Sequence, residues 1–346
     1  MKPKHSRPMV AGAMLALLVA AVLLGGFWRG RVSGSDVLVV YCAHDSVYSE
    51  QILRDFERQT RIPVKIRFDT EATKSLGLVN LLIQEKSHPR CDVFWNNQVL
   101  GTLELLDHDL VLPYKGPGYE RIPTRFKDPD GYWTGFAARM RVYIVNTEKV
   151  PGAEKAAELM ASDDLSRATI AKPLYGTTRT HYTILWQRWG GEGLKKWHRD
   201  VQERGLHIST GNATVKNLVS EGTCDFGWTD SDDFFVAKDQ GKPVALGPVR
   251  LEDGATICIP NCVVIIKGTS RLAEAQQLVD FLLSKQTELA LAASRARQIP
   301  LGPVAEDELS AEVRQLKSWA VDACELPLAG PARQECLSWL KSEYLR

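Results

Sequence analysis

The chain has 346 residues, 44% of them hydrophobic and 25% charged, with a formal net charge of +1. These are ordinary globular proportions and give length enough for two domains or lobes. Lys2, Lys4, Arg7, Arg29 and Arg31 stand in a first segment without acids, and the rest holds 38 basic against 42 acidic residues, a balance that argues against a nucleic-acid partner.

In chain order, the first signal is a basic start followed by an apolar run from Met9 to Trp28. Its roughly 20 residues suffice to cross a bilayer. The run ends in Gly25-Gly26-Phe27-Trp28-Arg29, without a small-x-small cleavage site, and no cysteine occurs before Cys42. Residues 1–35 are therefore read as an uncleaved transmembrane anchor and linker in preference to a cleaved secretory signal, with the basic end in the cytoplasm. Either way the body is expected in the periplasm or at the cell exterior, anchored in the cytoplasmic membrane or released by cleavage.

Val37–Tyr41 is a continuous apolar run, as in a buried parallel strand. A polar turn, Cys42-Ala43-His44-Asp45-Ser46, leads into a helix with Ile52, Leu53 and Phe56 on one face. Strands are expected at 62–68 and 91–95, with a helix at 76–83 between them. This alternation predicts an α/β lobe with a mostly parallel sheet, whose ligands sit beyond the carboxyl ends of the strands. The turns at 42–46, 69–72 and 96–98 lie at such ends and bring His44, Asp45, Glu71 and Asn97 into consideration. The segment 133–146 reads as a long strand crossing to a second lobe. Residues 155–205 read as helical, broken at 172–176. A short helix at 212–221, a strand at 224–229, a return strand at 262–267 and an amphipathic helix at 272–284 follow, and the end of the chain is helical.

Polar turns at helix starts carry the chemistry. Thr177-Thr178-Arg179-Thr180 opens a helix after Gly176, where free N–H groups and the helix dipole suit an anion or a simple cap. Asp230-Ser231-Asp232-Asp233 places three carboxylates after an apolar strand, more than capping needs. They suit a cation, an amine or hydroxyl groups. Enzyme signatures are lacking: there is no nucleophile elbow, phosphate loop, dinucleotide fingerprint or zinc-protease motif. Of seven cysteines, Cys324 and Cys336 flank a Pro/Gly-containing link and suit a disulfide in an oxidising compartment. Cys258 and Cys262 straddle Pro260-Asn261 at an expected strand junction, and the remaining cysteines read as small buried residues.

The stretches 39–45, 56–64, 91–95, 139–146, 211–216, 227–233, 271–283 and 297–301 resemble, in order and spacing, the periplasmic solute-binding proteins of ABC transporters. The resemblance spans about 37–305 and lies in the branch that includes ferric-iron-binding proteins. It implies a two-lobed α/β periplasmic-binding-protein fold (type II) with hinge strands, no enzymatic activity, an ABC permease as partner and a monomeric state. Combined with the strand order, it implies lobe 1 from 36–137, lobe 2 from 138–255, and a return to lobe 1 with C-terminal helices over 256–346.

The resemblance also implies a site. Ferric binders use a His after the first strand, a Glu after the third and two adjacent Tyr after the second-lobe strand. Those places fall on Asp45, Asn97, Asp232 and Asp233, with His44 one position off. Asp45, Asp232 and Asp233 are thus the expected metal ligands if the cargo is Fe(III) or another metal. No resident cofactor is expected. Arg139, Thr177, Thr178 and Asn212 fall in the region that holds an anion, with Asp230 nearby. The missing Tyr pair keeps open an aminophosphonate or other small anion as cargo, or a membrane-anchored sensor ectodomain instead of a transport component.

Overall fold

The computed structural model describes residues 37–69 and 75–345. The expected N-terminal span lies outside them, and among the described residues no helix is long and apolar enough to cross a membrane. The fold is two-lobed α/β, built on ten strands in the order β2-β1-β3-β10-β5-β8-β6-β7, with β4 on β10 and β9 on β5.

In the first lobe β1 (Leu38–Cys42) pairs in parallel with β2 (Val64–Phe68) and β3 (Val93–Asn96). The return strand β10 (Cys258–Ile266) runs antiparallel beside β3 and β4 (Val111–Leu112). In the second lobe β6 (Ala168–Ala171) is parallel to β7 (His207–Ser209) and β8 (Phe226–Asp230). The long strand β5 (Thr134–Asn146) joins the two: it pairs antiparallel with β10 over its first half, then with β8 and β9 (Val244–Pro248). The sheets are mixed and not mostly parallel, because β5 and β10 cross between the lobes and run against the βαβ strands on either side. All 13 residues of β5 are buried, as its near-continuous apolar run requires.

The helices form where apolar spacing gives them a face to bury. Helix α1 (Ser46–Thr60) inserts Ile52, Leu53 and Phe56 under the first sheet and ends on Arg61 in the left-handed region (φ 61°). Helices α2 (Leu76–Gln84), α3 (Val99–Asp107) and α4 (Pro117–Arg121) complete that lobe's early part. Helix α5 (Ala156–Met160) precedes β6, and α6 (Gly176–Glu203) follows it. Gly176 opens α6 with φ +53°, a conformation that strains any residue bearing a Cβ. Helices α7 (Asn212–Ser220) and α8 (Ser231–Asp239) flank β8. Helix α9 (Leu272–Leu282) buries Ala275, Leu278, Val279 and Leu282, the face that its sequence spacing indicates. Helices α10 (Lys285–Ala293), α11 (Ala311–Ala320) and α12 (Ala332–Tyr344) follow, and α12 packs Cys336, Leu337 and Leu340 into the same core as Tyr182, Leu185 and Trp186 of α6.

Three expectations need correction. The 155–205 region is not one broken helix, since Ala168–Ala171 is a buried central strand too short to show a period. Cys258 and Cys262 both lie within β10, whose register shifts between Pro260 and Asn261, so no strand junction separates them. Cys324 and Cys336 are free thiols. Cys324 is pinned by its N–H donating to Thr256 O (2.9 Å), while Cys336 faces the α6 core. Burial pushes the Cys336 thiol up to about 12 and that of Cys324 to about 11.

One carboxylate anchors the crossing. Glu288, fully buried on α10, accepts from the Ala137 N–H (2.9 Å), the Leu301 N–H (2.8 Å), the Gly302 N–H (3.1 Å) and Arg121 Nη1 (2.6 Å). Ala137 has a positive φ of 40°, so the bend in β5 is held by a side chain 151 residues away.

Candidate functional site

Strand ends and helix starts converge between the lobes on a cavity of about 30 Å³. Its lining is His44, Asp45, Asn97, Arg139, Gly176, Thr177, Asn212, Asp230, Asp232 and Asp233. Nine of these ten were expected from sequence as ligand residues, and Gly176 as part of a turn. The volume admits two or three waters, or one ion with a water, and nothing as large as a phosphonate in this conformation.

Arg139 binds the lobes to each other. Its Nε donates to Asp232 Oδ2 (3.1 Å), Nη1 to the Asn97 carbonyl (2.8 Å) and Nη2 to Asn261 Oδ1 (3.0 Å). Nη2 also lies 3.3 Å from His44 Nδ1. The other His44 nitrogen is 3.1 Å from the Gln298 amide, and the ring packs against Trp95 with centroids 5.5 Å apart. His44 is therefore a brace for Arg139, both of its ring nitrogens being engaged by protein groups.

Arg141 was not anticipated, although it follows Arg139 at the two-residue interval that puts strand side chains on one face. It is fully buried and serves the second lobe: Nη1 donates to Asp230 Oδ1 (2.7 Å), Asn212 Oδ1 (3.1 Å) and Thr177 Oγ1 (3.4 Å). The other Asp230 oxygen accepts from Thr177 Oγ1 (2.5 Å) and Asn212 Nδ2 (3.0 Å). The start of α6 thus has an anion of the protein's own beside it. Thr178 donates to Asn212 Oδ1 (3.1 Å) and lines a smaller neighbouring cavity of about 20 Å³. Glu71 lies outside the described residues.

Asp230, Asp232 and Asp233 bring one carboxylate oxygen each to within 4.8 Å of one another, a spacing that can hold a metal ion. Asp45 lines the same cavity, and the buried Oδ1 of Asn97 has no hydrogen-bond partner among the described residues. Tyr48, one turn into α1, also escaped the sequence reading. Burial first, then the Asp232, Asp233 and Asp45 charges, push its phenol well above the usual range, so it stays protonated beside them. Four carboxylates against two guanidinium groups leave the cleft with an excess of negative charge.

A crossing strand, two lobes and a polar cleft at the strand ends define a class of extracytoplasmic binding proteins. The chain belongs to the bacterial extracellular solute-binding protein family, whose profile matches residues 51–318, and it is the solute-binding component of an ABC importer. It is similar to the Fe(3+)-binding periplasmic protein of Serratia marcescens, at 22% identity over 325 residues, 90% of this chain and 93% of that one. Iron-bound HitA from Pseudomonas aeruginosa has a similar fold, with a TM-score of 0.76, 21% identity, and coverage of 88% of this chain and 98% of that one. The apo ferric ion-binding protein A of Pasteurella haemolytica gives 0.77 at 20% identity, covering 89% and 98%.

Proposed function

We propose that this component carries a hard, oxygen-preferring metal cation, Fe(III) foremost, on Asp45, Asp232 and Asp233, with Asn97 Oδ1 as a neutral donor. The observation that carries this is the convergence of Asp230, Asp232 and Asp233 within 4.8 Å of one another, with Asp45 lining the same cavity of ion size. Adjacent carboxylates repel unless a cation lies against them, and hard cations select oxygen ligands. Asp230 belongs to the Arg141 ion pair and serves the cation through its charge. The names of the relatives support ferric cargo. The carboxylate pair at 232–233 stands where those proteins are expected to use tyrosines, so the ion is held by weaker donors.

On this reading the protein binds its cargo without altering it, acts as a monomer, and is held to the membrane by residues 9–28. Lobe 1 comprises 36–137 and the return from 256, and lobe 2 comprises 138–255 with α12 packed on it. Calorimetry against ferric citrate, divalent cations and an aminophosphonate tests the cargo. The expected outcome is metal binding that weakens at least 100-fold, about 2.7 kcal/mol, in the Asp232→Ala/Asp233→Ala variant. Aminophosphonate binding with no metal binding, or unchanged metal affinity in the double variant, would overturn it.

A further inference from the structure

A cavity walled by aromatic rings lies outside the cleft, on the second lobe. It measures about 630 Å³, within the range of small-molecule sites. Trp189, Trp197, Trp228, Tyr143, His181 and Leu185 line it. The rings form a continuous wall: Trp197 and Trp228 stack at 5.4 Å and 10°, Trp189 lies 5.6 Å from Trp197, and His181 lies 4.5 Å from Trp228. Trp189 sits immediately before Gly190, where φ is +73° and α6 kinks, which turns this indole off the helix line.

A plain packing defect would be apolar throughout, and this cavity is not. Among the described residues Nδ1 of His181 is buried without a hydrogen-bond partner, in a side chain only 1% exposed, and the Trp228 indole meets the Tyr143 hydroxyl at the cavity wall. Leaving a buried ring nitrogen unanswered is costly, so His181 calls for a polar partner inside the cavity. The charged residues of the lining are Arg204, Arg250 and Glu252. Glu252 accepts from Trp189 Nε1, and two guanidinium groups against this one carboxylate leave the lining with an excess of positive charge.

We infer that this cavity is a second ligand site, for a flat fused-ring or aromatic molecule bearing one anionic group. The ring plane lies along the Trp197–Trp228 wall, and the anion is met by the guanidinium groups. The site is built from α6 and β8, the elements that also supply Thr177 and Asp230 to the cleft, and lies beside it, His181 being one helical turn from Thr177 and Trp228 two strand residues from Asp230.

The probe is 1-anilinonaphthalene-8-sulfonate, a fused aromatic with one sulfonate, titrated into the full-length protein. One saturable site is expected, with quenching of tryptophan emission. Ala157→Trp, on the exposed side of α5 where it lines the cavity, should lower the affinity at least tenfold with the circular dichroism and thermal midpoint unchanged. If that variant misfolds, Trp189→Ala provides the same reading from the opposite wall. The Asp232→Ala/Asp233→Ala variant should bind the probe as the parent does. Non-saturable binding, affinity unchanged in the cavity variant, or loss of binding in the double Asp variant would each overturn the inference.

Discussion

Thr177 and His181 lie one turn apart on α6, and Asp230 and Trp228 lie two residues apart on β8, yet the members of each pair serve two unlike regions of the second lobe, the cleft face and, further along the same side, the aromatic far face. On the cleft face the buried groups are ions, and each is answered by an opposite charge: Arg141 by Asp230, Arg139 by Asp232. On the far face the buried polar groups are imidazoles and phenols. His198 sits between the hydroxyls of Tyr182 (2.9 Å) and Tyr344 (2.8 Å), and His181 packs on Trp228. An ion is buried by finding a partner, an imidazole by giving up its proton. The two faces should therefore fail differently, the first to mutation and the second to acid.

The largest expected effect is on the cleft face. Asp230→Ala leaves Arg141 buried with no counter-charge and should cost about 3–5 kcal/mol of stability, measured by urea unfolding. A loss under about 1 kcal/mol would show that water reaches Arg141 and erase the contrast.

Acid tests the other face. Burial pushes the His198 imidazole down from 6.5 to about 4, and burial, then the Arg141 charge, lowers His181 further below its usual range. Below pH 6.5 the unfolded chain takes up a proton that the folded chain refuses. Stability should therefore be full above that pH and fall through the window down to about 4, by roughly 3 kcal/mol from His198. Unfolding curves at pH 7 and 4.5 should show this slope, and His198→Phe should flatten it. An equal slope in the variant would place the acid sensitivity elsewhere.

The smallest effect sharpens the comparison within the cleft. Arg139→Ala should weaken metal binding by about 1.5–3 kcal/mol, the value of a charged hydrogen bond, because Arg139 reaches both lobes. Arg141, bonded only within the second lobe, should alter stability more than affinity. Paired calorimetry and unfolding on both alanine variants separates these outcomes, and identical profiles would remove the distinction.

Much of this cleft is legible from residue type and position. Long or periodic elements such as β5 and α9 announce themselves, and polar residues at strand ends mark a cleft without any knowledge of distances. Arg141 and Tyr48 were missed for a shared reason: each looks like part of a regular element until its neighbours across the fold are known. The same holds for Asn261 and Gln298, which meet His44 and Arg139 from the return strand and from the loop after α10. The 168–171 strand is too short to carry a period. The cysteine pairing failed because nearness in sequence across a Pro/Gly link does not bring two thiols into contact: Cys324 borders the core that Cys336 enters, and both stay free.

The seat of α12 bears on how the chain is made. Its Tyr344 hydroxyl reaches a histidine 146 residues earlier, and its Cys336, Leu337 and Leu340 finish a core begun by α6. A chain emerging from its amino end presents α6 long before the helix that covers it. The second lobe therefore stays open on one side until α12 has been made, with Trp186 of α6 left uncovered. A lobe whose core waits for α12 is vulnerable in transit to aggregation and proteases, and loss of α12 strikes that late step.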